Sequence, residues 1–237
     1  MTSGVGSVSD YERVPEGVNP PLHCPDYKST LARVPRRPLV VAPHTLSELT
    51  GPVFGHRPVA EGDHDLTARF ADPPVGQRII VHGRVLDGSG RPLPRTLVEV
   101  WQANAGGRYR HHGDQGVAPI DPNFAGGGRT ITDDEGRYRF VTIRPGSYPW
   151  GNHHNAWRPA HIHFSLFGPA FVTRLVTQMY FPGDPLFPFD PIYKSVPEAA
   201  RPRLVSAFDL DAGIPDDSLA FRWDVVLRGP QATPVER

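Results

Sequence analysis

The chain has 237 residues, and its 25 Lys and Arg are balanced by 25 Asp and Glu. Zero net charge excludes the broad basic face that binds nucleic acid, and a single cysteine, Cys24, excludes an internal disulfide or a cysteine-built zinc or iron–sulfur site. Proline (28) and glycine (24) make up about a fifth of the chain, which works against long helices and favours short strands joined by ordered turns.

No apolar run reaches the roughly 18 residues of a membrane span. The opening residues MTSGVGSVSD lack the charged and apolar regions of a secretory signal. The expected location is the cytoplasm, with no nucleic-acid or membrane partner.

Residues 1–38 carry six prolines (Pro15, Pro20, Pro21, Pro25, Pro35 and Pro38) and little apolar periodicity. They read as an extended arm whose Tyr11, Leu22, Tyr27 and Leu31 lie against the chain's own core or a partner. A short helix is expected at Thr45–Thr50, ended by Gly51, followed by an irregular stretch with an acidic, histidine-bearing patch from Glu61 to Asp65. From Arg78 the pattern turns to strands. Arg78–Leu86 is the first, closed by the turn Asp87-Gly88-Ser89-Gly90. Arg95–Gln102 is the second. Ala103–Gly128 is a glycine-rich connection, and a loop of that length inside a compact domain usually serves a function. Arg129–Thr132 and Arg137–Ile143 flank the turn Asp133-Asp134-Glu135-Gly136, and Pro145-Gly146 turns again. Ala160–Phe167 and Phe171–Phe181 are strands joined at Gly168-Pro169. Ser195–Asp209 has helical character interrupted by Pro202, and Ala220–Arg228 is the last strand. The expected architecture is all-β: an antiparallel sandwich over residues 78–237, preceded by an arm and irregular segment over residues 1–77.

His161 and His163 stand two apart in a strand, so both imidazoles point to one side while Ile162, Phe164 and Leu166 face the core. Such a pair is the beginning of a metal site, and the remaining ligands are open from spacing. A facial triad needs a nearby carboxylate, and downstream none precedes Asp184. A three-histidine zinc site would recruit His153, His154, His111 or His112. Tyrosinate suits a ferric ion, and Tyr109 and Tyr148 stand in unusual settings. Tyr109 lies between Arg108 and Arg110, whose charge would favour phenolate. Tyr148 lies in a proline-bracketed loop. On spacing alone, both tyrosines also read as ordinary packing residues.

The strings LVEVWQANAGGRYRH, PGSYPWGN, WRPAHIHFSLFGP and TQMYFPGDP occur in this order. Together with PDYKST and the closing FRWDVVLRG, they resemble the intradiol ring-cleaving dioxygenases, above all the β chain of the two-chain branch acting on 3,4-dihydroxybenzoate (protocatechuate). The resemblance runs from about Pro25 to Arg228. It implies one Fe(III) per chain held by Tyr109, Tyr148, His161 and His163, with Tyr148 and His163 axial. It implies O2-dependent opening of the ring between its hydroxyls to 3-carboxy-cis,cis-muconate, in aromatic catabolism by the β-ketoadipate route. It makes Tyr148 a base for a catechol proton and Arg158 the stabiliser of negative charge on the ring, with Gln178 beside both substrate and Arg158. Tyr27 and Trp150 would bind substrate, and Trp101 would line the pocket or the core. It further implies a homologous α chain in an αβ hetero-oligomer. A basic residue commonly follows the family's PYPW motif; here Gly151 takes its place, leaving the substrate carboxylate to His153, His154 or the partner chain. Rival readings are another catechol as substrate, a non-catalytic binding subunit, and a zinc hydrolase built on the two histidines.

Overall fold

Residue alternation accounts for the first strand in a computed structural model of the protein, which describes residues 15–38, 59–167 and 174–236. In β1 (Arg78–Leu86), Ile79, Val81 and Val85 enter the core, while His82 and Arg84 point outward. The same alternation runs through β2 (Leu97–Trp101) and the start of β4 (Arg137–Ile143), whereas β3 (Gly127–Ile131) is half-buried up to Thr130, β7 (His161–Phe167) is buried on both faces and β8 (Arg174–Tyr180) is buried over its second half. The expected helix at Thr45–Thr50, Tyr11 and the Gly168-Pro169 turn lie outside the described residues.

Two sheets face each other. One carries β4, β1, β10 (Leu219–Arg222), β9 (Ala207–Phe208) and β11 (Val225–Val226); the other has the order β3-β2-β7-β8. All pairs are antiparallel except those of β1 with β10 and β11, which are parallel. Between the sheets lie Val98, Val100, Phe140, Ile162, Phe164, Leu166 and Met179, all buried. Each such side chain contributes on the order of 1.5–3 kcal/mol by leaving water. The segment before β1 joins this core: Leu66 is fully buried, and its N–H donates to the Val141 carbonyl at 2.8 Å.

Three expectations are corrected. The last strand is not continuous: β10 and β11 are separated at Trp223 and Asp224. The Trp223 carbonyl accepts from the Tyr138 hydroxyl at 2.6 Å, and the Asp224 carboxylate accepts from the Arg84 N–H at 2.9 Å. Side chains thus take over ladder positions there. The stretch around Tyr148 is not a loop but a strand, β5 (Tyr148–Trp150), paired with β6 (Ala156–Arg158) in a two-stranded ribbon. Pro149 fits this edge because it owes the ladder no N–H at its position. Pro202 does not interrupt the turn of chain at Glu198–Leu204, which is a 3₁₀ helix running through it.

The arm has a five-residue helix, α1 (Ser29–Arg33), and it rests on the ribbon. The Ser29 N–H donates to Asn152 Oδ1 at 3.1 Å, and the Asn152 amide donates back to Ser29 Oγ at 3.0 Å. Leu22 and Leu31 remain exposed. Among the described residues no helix is long and apolar enough to cross a membrane.

Tyr138→Phe leaves the buried Trp223 carbonyl without its donor. It is expected to lower unfolding free energy by about 1–3 kcal/mol, read from urea denaturation, with the far-ultraviolet dichroism of the native state unchanged.

Candidate metal centre

β7 is the middle of the site. Its core side is apolar, and its other side presents His161, His163 and Ser165, all buried. The ribbon β5–β6, the long loop after β2 and the C-terminal segment cover that side. His161 Nδ1 lies 2.7 Å from the Pro159 carbonyl, which can only accept, so the proton sits on Nδ1 and Nε2 is bare. Burial first, then Arg158 and His163, hold the His161 pKa well below the usual imidazole range, so the ring is neutral. His163 Nδ1 donates to Glu236 Oε2 at 3.0 Å, which turns its Nε2 toward the site. The indole of Trp101 stacks on His163, 4.8 Å between centroids and 4° from parallel.

Tyr109 and Tyr148 complete a ring of four donors. The Tyr109 hydroxyl lies 3.1 Å from His163 Nε2 and 3.5 Å from the Tyr148 hydroxyl, and the latter lies 3.3 Å from His161 Nε2. The two Nε2 atoms are 3.3 Å apart. Round this ring Tyr148 stands across from His163, and Tyr109 across from His161. A cation between the two Nε2 atoms would take a lone pair from each imidazole. A metal bonded to N and O donors at roughly 2.0–2.2 Å spaces neighbours about 2.8–3.1 Å apart at right angles and about 3.5–3.8 Å at 120°. The observed ring fits such an ion, and two phenol oxygens suit a hard one.

Backbone contact between two loops sets the tyrosines. A Cβ on Gly107, whose φ is +81°, would drive into the Ser147 carbonyl, and one on Gly146 would strike the Ala105 carbonyl. The Gly146 N–H donates to the Asn104 carbonyl at 2.9 Å. Asn104 also fastens the Tyr109 loop, its Oδ1 accepting from Gly106 N–H at 2.9 Å and Arg108 N–H at 3.0 Å. Tyr148 is paired with Arg158 across the ribbon.

The expected role of Arg108 and Arg110 is overturned. The Arg108 guanidinium donates to the Ala118 and Asp114 carbonyls at 3.0 and 2.9 Å. Arg110 donates to the Pro122 carbonyl at 3.2 Å and lies over the Phe70 ring. Both serve the loop. Burial raises the pKa of Tyr109 well above the usual phenol range and also raises that of Tyr148; the cation that opposes it in each case is Arg158.

Arg158 is buried at the edge of the ring. Its Nε lies 3.1 Å from Asp190 Oδ1, and its Nη2 donates to Gln178 Oε1 and, at 3.2 Å, to the Tyr180 hydroxyl. Burial disfavours its charge, yet Tyr180, Asp190, Tyr148 and Glu236 outweigh that and hold it protonated. Gln178 stands opposite His163 in the β7–β8 ladder. Trp150 lies beneath the guanidinium at 5.8 Å, and Tyr27 meets Trp150 edge-on at 4.9 Å. The structure therefore gathers all the expected ligands with Arg158 and Gln178, and places Trp150 and Tyr27 in line outward from Arg158. His153 and His154 do not join the ring of donors; they sit in the turn between β5 and β6, where His153 Nδ1 accepts from the Asn155 N–H at 3.2 Å. Gly151, in the same turn, faces open space. Among the described residues no group of three or more His, Cys, Asp and Glu is drawn together, so the three-histidine and carboxylate ligand sets have no counterpart there.

Asp190 and Glu236 escape sequence reasoning. Asp190 precedes α2 (Pro191–Ser195) and caps it, accepting from the Ile192 N–H at 2.9 Å, which is a local signal a capping search can find. Glu236 lies 73 residues from His163 and has no local signal.

Comparison with known proteins agrees with this geometry. The sequence profile of the family described as "Dioxygenase" matches residues 49–229, and that described as "Protocatechuate 3,4-dioxygenase beta subunit N terminal" matches residues 11–45. The chain belongs to the dioxygenase family and is an intradiol ring-cleaving enzyme. It is 58% identical over 215 residues to the protocatechuate 3,4-dioxygenase beta chain of Burkholderia cepacia, covering 90% of this chain and 92% of that one. It is 28% identical over 205 residues to the protocatechuate 3,4-dioxygenase alpha chain of Pseudomonas putida, covering 83% and 97% respectively. The crystal structure of 3-chlorocatechol 1,2-dioxygenase from Rhodococcus opacus 1CP superposes with a TM-score of 0.55 at 26% identity, over 77% of this chain and 72% of that one.

Because burial raises both phenol pKa values, Tyr109 and Tyr148 keep their protons at neutral pH until a cation displaces them. Cation affinity is therefore expected to rise with pH, by about a hundredfold per unit when two protons leave. Competition with a chelator at several pH values, together with the ultraviolet tyrosinate difference spectrum, measures this.

Proposed function

We propose that this chain is the iron-bearing subunit of an enzyme that cleaves protocatechuate with O2 to 3-carboxy-cis,cis-muconate. The observation that carries the reading is the ring formed by Tyr109, Tyr148, His161 and His163 beside the buried cation Arg158. These four residues would hold one Fe(III). When bound, that iron acts as the Lewis acid that keeps the catechol as its dianion.

The remaining chemistry belongs to the chain. Tyr148 Oη, as phenolate, takes a proton from a catechol hydroxyl. His161, neutral and fixed by the Pro159 carbonyl, does not compete for that proton. Negative charge that develops on the ring meets the Arg158 guanidinium, held in advance by Asp190, Gln178 and Tyr180. Trp150 and Tyr27 form the outer wall, and Tyr27 carries the Arg33 guanidinium over its ring at 5.0 Å. The substrate carboxylate would lie at this outer end, since Gly151 offers no charge.

The chain would work beside a homologous α chain. Leu31, Trp157 and Phe189 are exposed, at 58%, 46% and 64%, and Trp157 and Phe189 directly precede Arg158 and Asp190. A partner laid there would cover apolar surface next to the site. A cytoplasmic setting suits the reading, because a lone cysteine makes no demand for an oxidising compartment. In this reading the described residues 15–38 and 59–77 act as the arm and leading segment of a catalytic sandwich whose strands lie within 78–237.

The purified protein is expected to be red-brown from phenolate-to-iron charge transfer, and Tyr109→Phe or His161→Ala to bleach it and abolish turnover. Anaerobic titration of the visible band with a panel of catechols tests the substrate. Tightest perturbation by protocatechuate supports the reading; preference for unsubstituted catechol or hydroxyquinol would replace it, and a colourless protein would end it. Arg158→Ser is expected to keep iron and colour while turnover falls roughly a hundred- to a thousandfold, about 2.7–4 kcal/mol of transition-state stabilisation. Parallel measurement of iron content and single-turnover rate separates that loss from a failure of assembly.

A further inference from the structure

We infer that Glu236 is a positioning residue for His163, presented by a C-terminal segment that the fold ties down on both sides. The inference rests on the reading of Tyr109, Tyr148, His161 and His163 as an iron site.

The segment is fastened before it reaches the site. The Thr233 N–H donates to the Val226 carbonyl at 2.8 Å, and the Val226 N–H donates to Thr233 Oγ1 at 3.0 Å. The Pro234 carbonyl accepts from the Thr177 hydroxyl at 2.7 Å. The Glu236 N–H donates to the Val176 carbonyl at 2.8 Å, so the segment bonds along the free edge of β8. From the other end of the chain, Asn19 Oδ1 accepts from the Val235 N–H at 3.0 Å. Ala232, Thr233 and Pro234 are buried. The Glu236 side chain is then delivered to His163 Nδ1 at 3.0 Å.

A carboxylate behind a ligating imidazole fixes its tautomer and orientation and raises its basicity. The two histidines of this site are unequal in that respect. His161 donates its Nδ1 proton to a neutral carbonyl, that of Pro159, whereas His163 donates to a carboxylate. Trp101 holds the His163 ring flat, and Glu236 fixes its rotation within that plane. His163 is thus the more electron-rich nitrogen ligand, and its quality depends on residues from both ends of the chain.

The test compares the iron-loaded wild-type protein with Glu236→Gln and Glu236→Ala. Three quantities are read: iron retention against a chelator, the energy of the charge-transfer band, and the Fe(III)/Fe(II) reduction potential. Glu236→Ala is expected to weaken iron retention about 10–100-fold, to raise the potential, and to move the band to lower energy. Glu236→Gln keeps an acceptor for Nδ1 but not the charge. It is expected to recover most of the iron retention while keeping part of the shift in potential and band. Wild-type potential, band and iron retention in Glu236→Ala would overturn the inference. Should that variant not fold, Glu236→Gln decides, an unchanged potential and band again overturning it. A wild-type protein without iron or colour would instead remove the iron reading on which the inference stands.

Discussion

Two imidazole Nε2 atoms lie 3.3 Å apart in the interior of this protein. Neither can turn away: each ring has committed its other nitrogen, one to the Pro159 carbonyl and one to the Glu236 carboxylate. Both rings hang from one strand at a spacing that the period of two makes unavoidable. Two phenol hydroxyls lie within 3.1 and 3.3 Å of these nitrogens. A cation held between the four atoms would draw a lone pair from each, with the phenols as anionic donors.

The second arginine-centred layer obeys a related constraint. A guanidinium as buried as that of Arg158 is costly to hold in place unless its charge and its N–H groups are met. Asp190 meets the charge, and Gln178 and Tyr180 accept or share the remaining hydrogen bonds. Asp190 does this while capping α2, so a short helix that has little stability of its own becomes part of the electrostatics of the site. Apolar side chains of the same volume often serve stability as well as such a pair or better; what this arrangement supplies is a positive charge beside the ring of donors.

Much of this was legible in the residues. The bounds of β1 and β4 follow from alternation between clear turns, and the shared face of His161 and His163 follows from strand geometry. Spacing left Tyr109 and Tyr148 as ordinary packing residues; their proposed place as ligands came from the resemblance of four ordered motifs. The ribbon that carries Tyr148 and Arg158 was hidden, because three-residue strands rich in proline and glycine neighbours carry too few alternating positions to show a period. The neighbouring charges of Arg108 and Arg110 misled because adjacency in sequence says nothing about where a long side chain spends its hydrogen bonds. Glu236 was invisible for the opposite reason: its contact with His163 joins remote parts of the chain, and only the closed fold brings them together.

The interlocking of the loops at Gly107 and Gly146 bears on time as well as place. With the Gly107 and Gly146 backbones in close contact and the Tyr148 backbone laddered to Arg158, movement of either phenol falls to rotation about its own side-chain bonds. Picosecond-to-nanosecond flips belong to exposed side chains, and these two rings are largely enclosed, so their rotation is slower. The protein around the four atoms would then act as a fixed mould for an ion they hold.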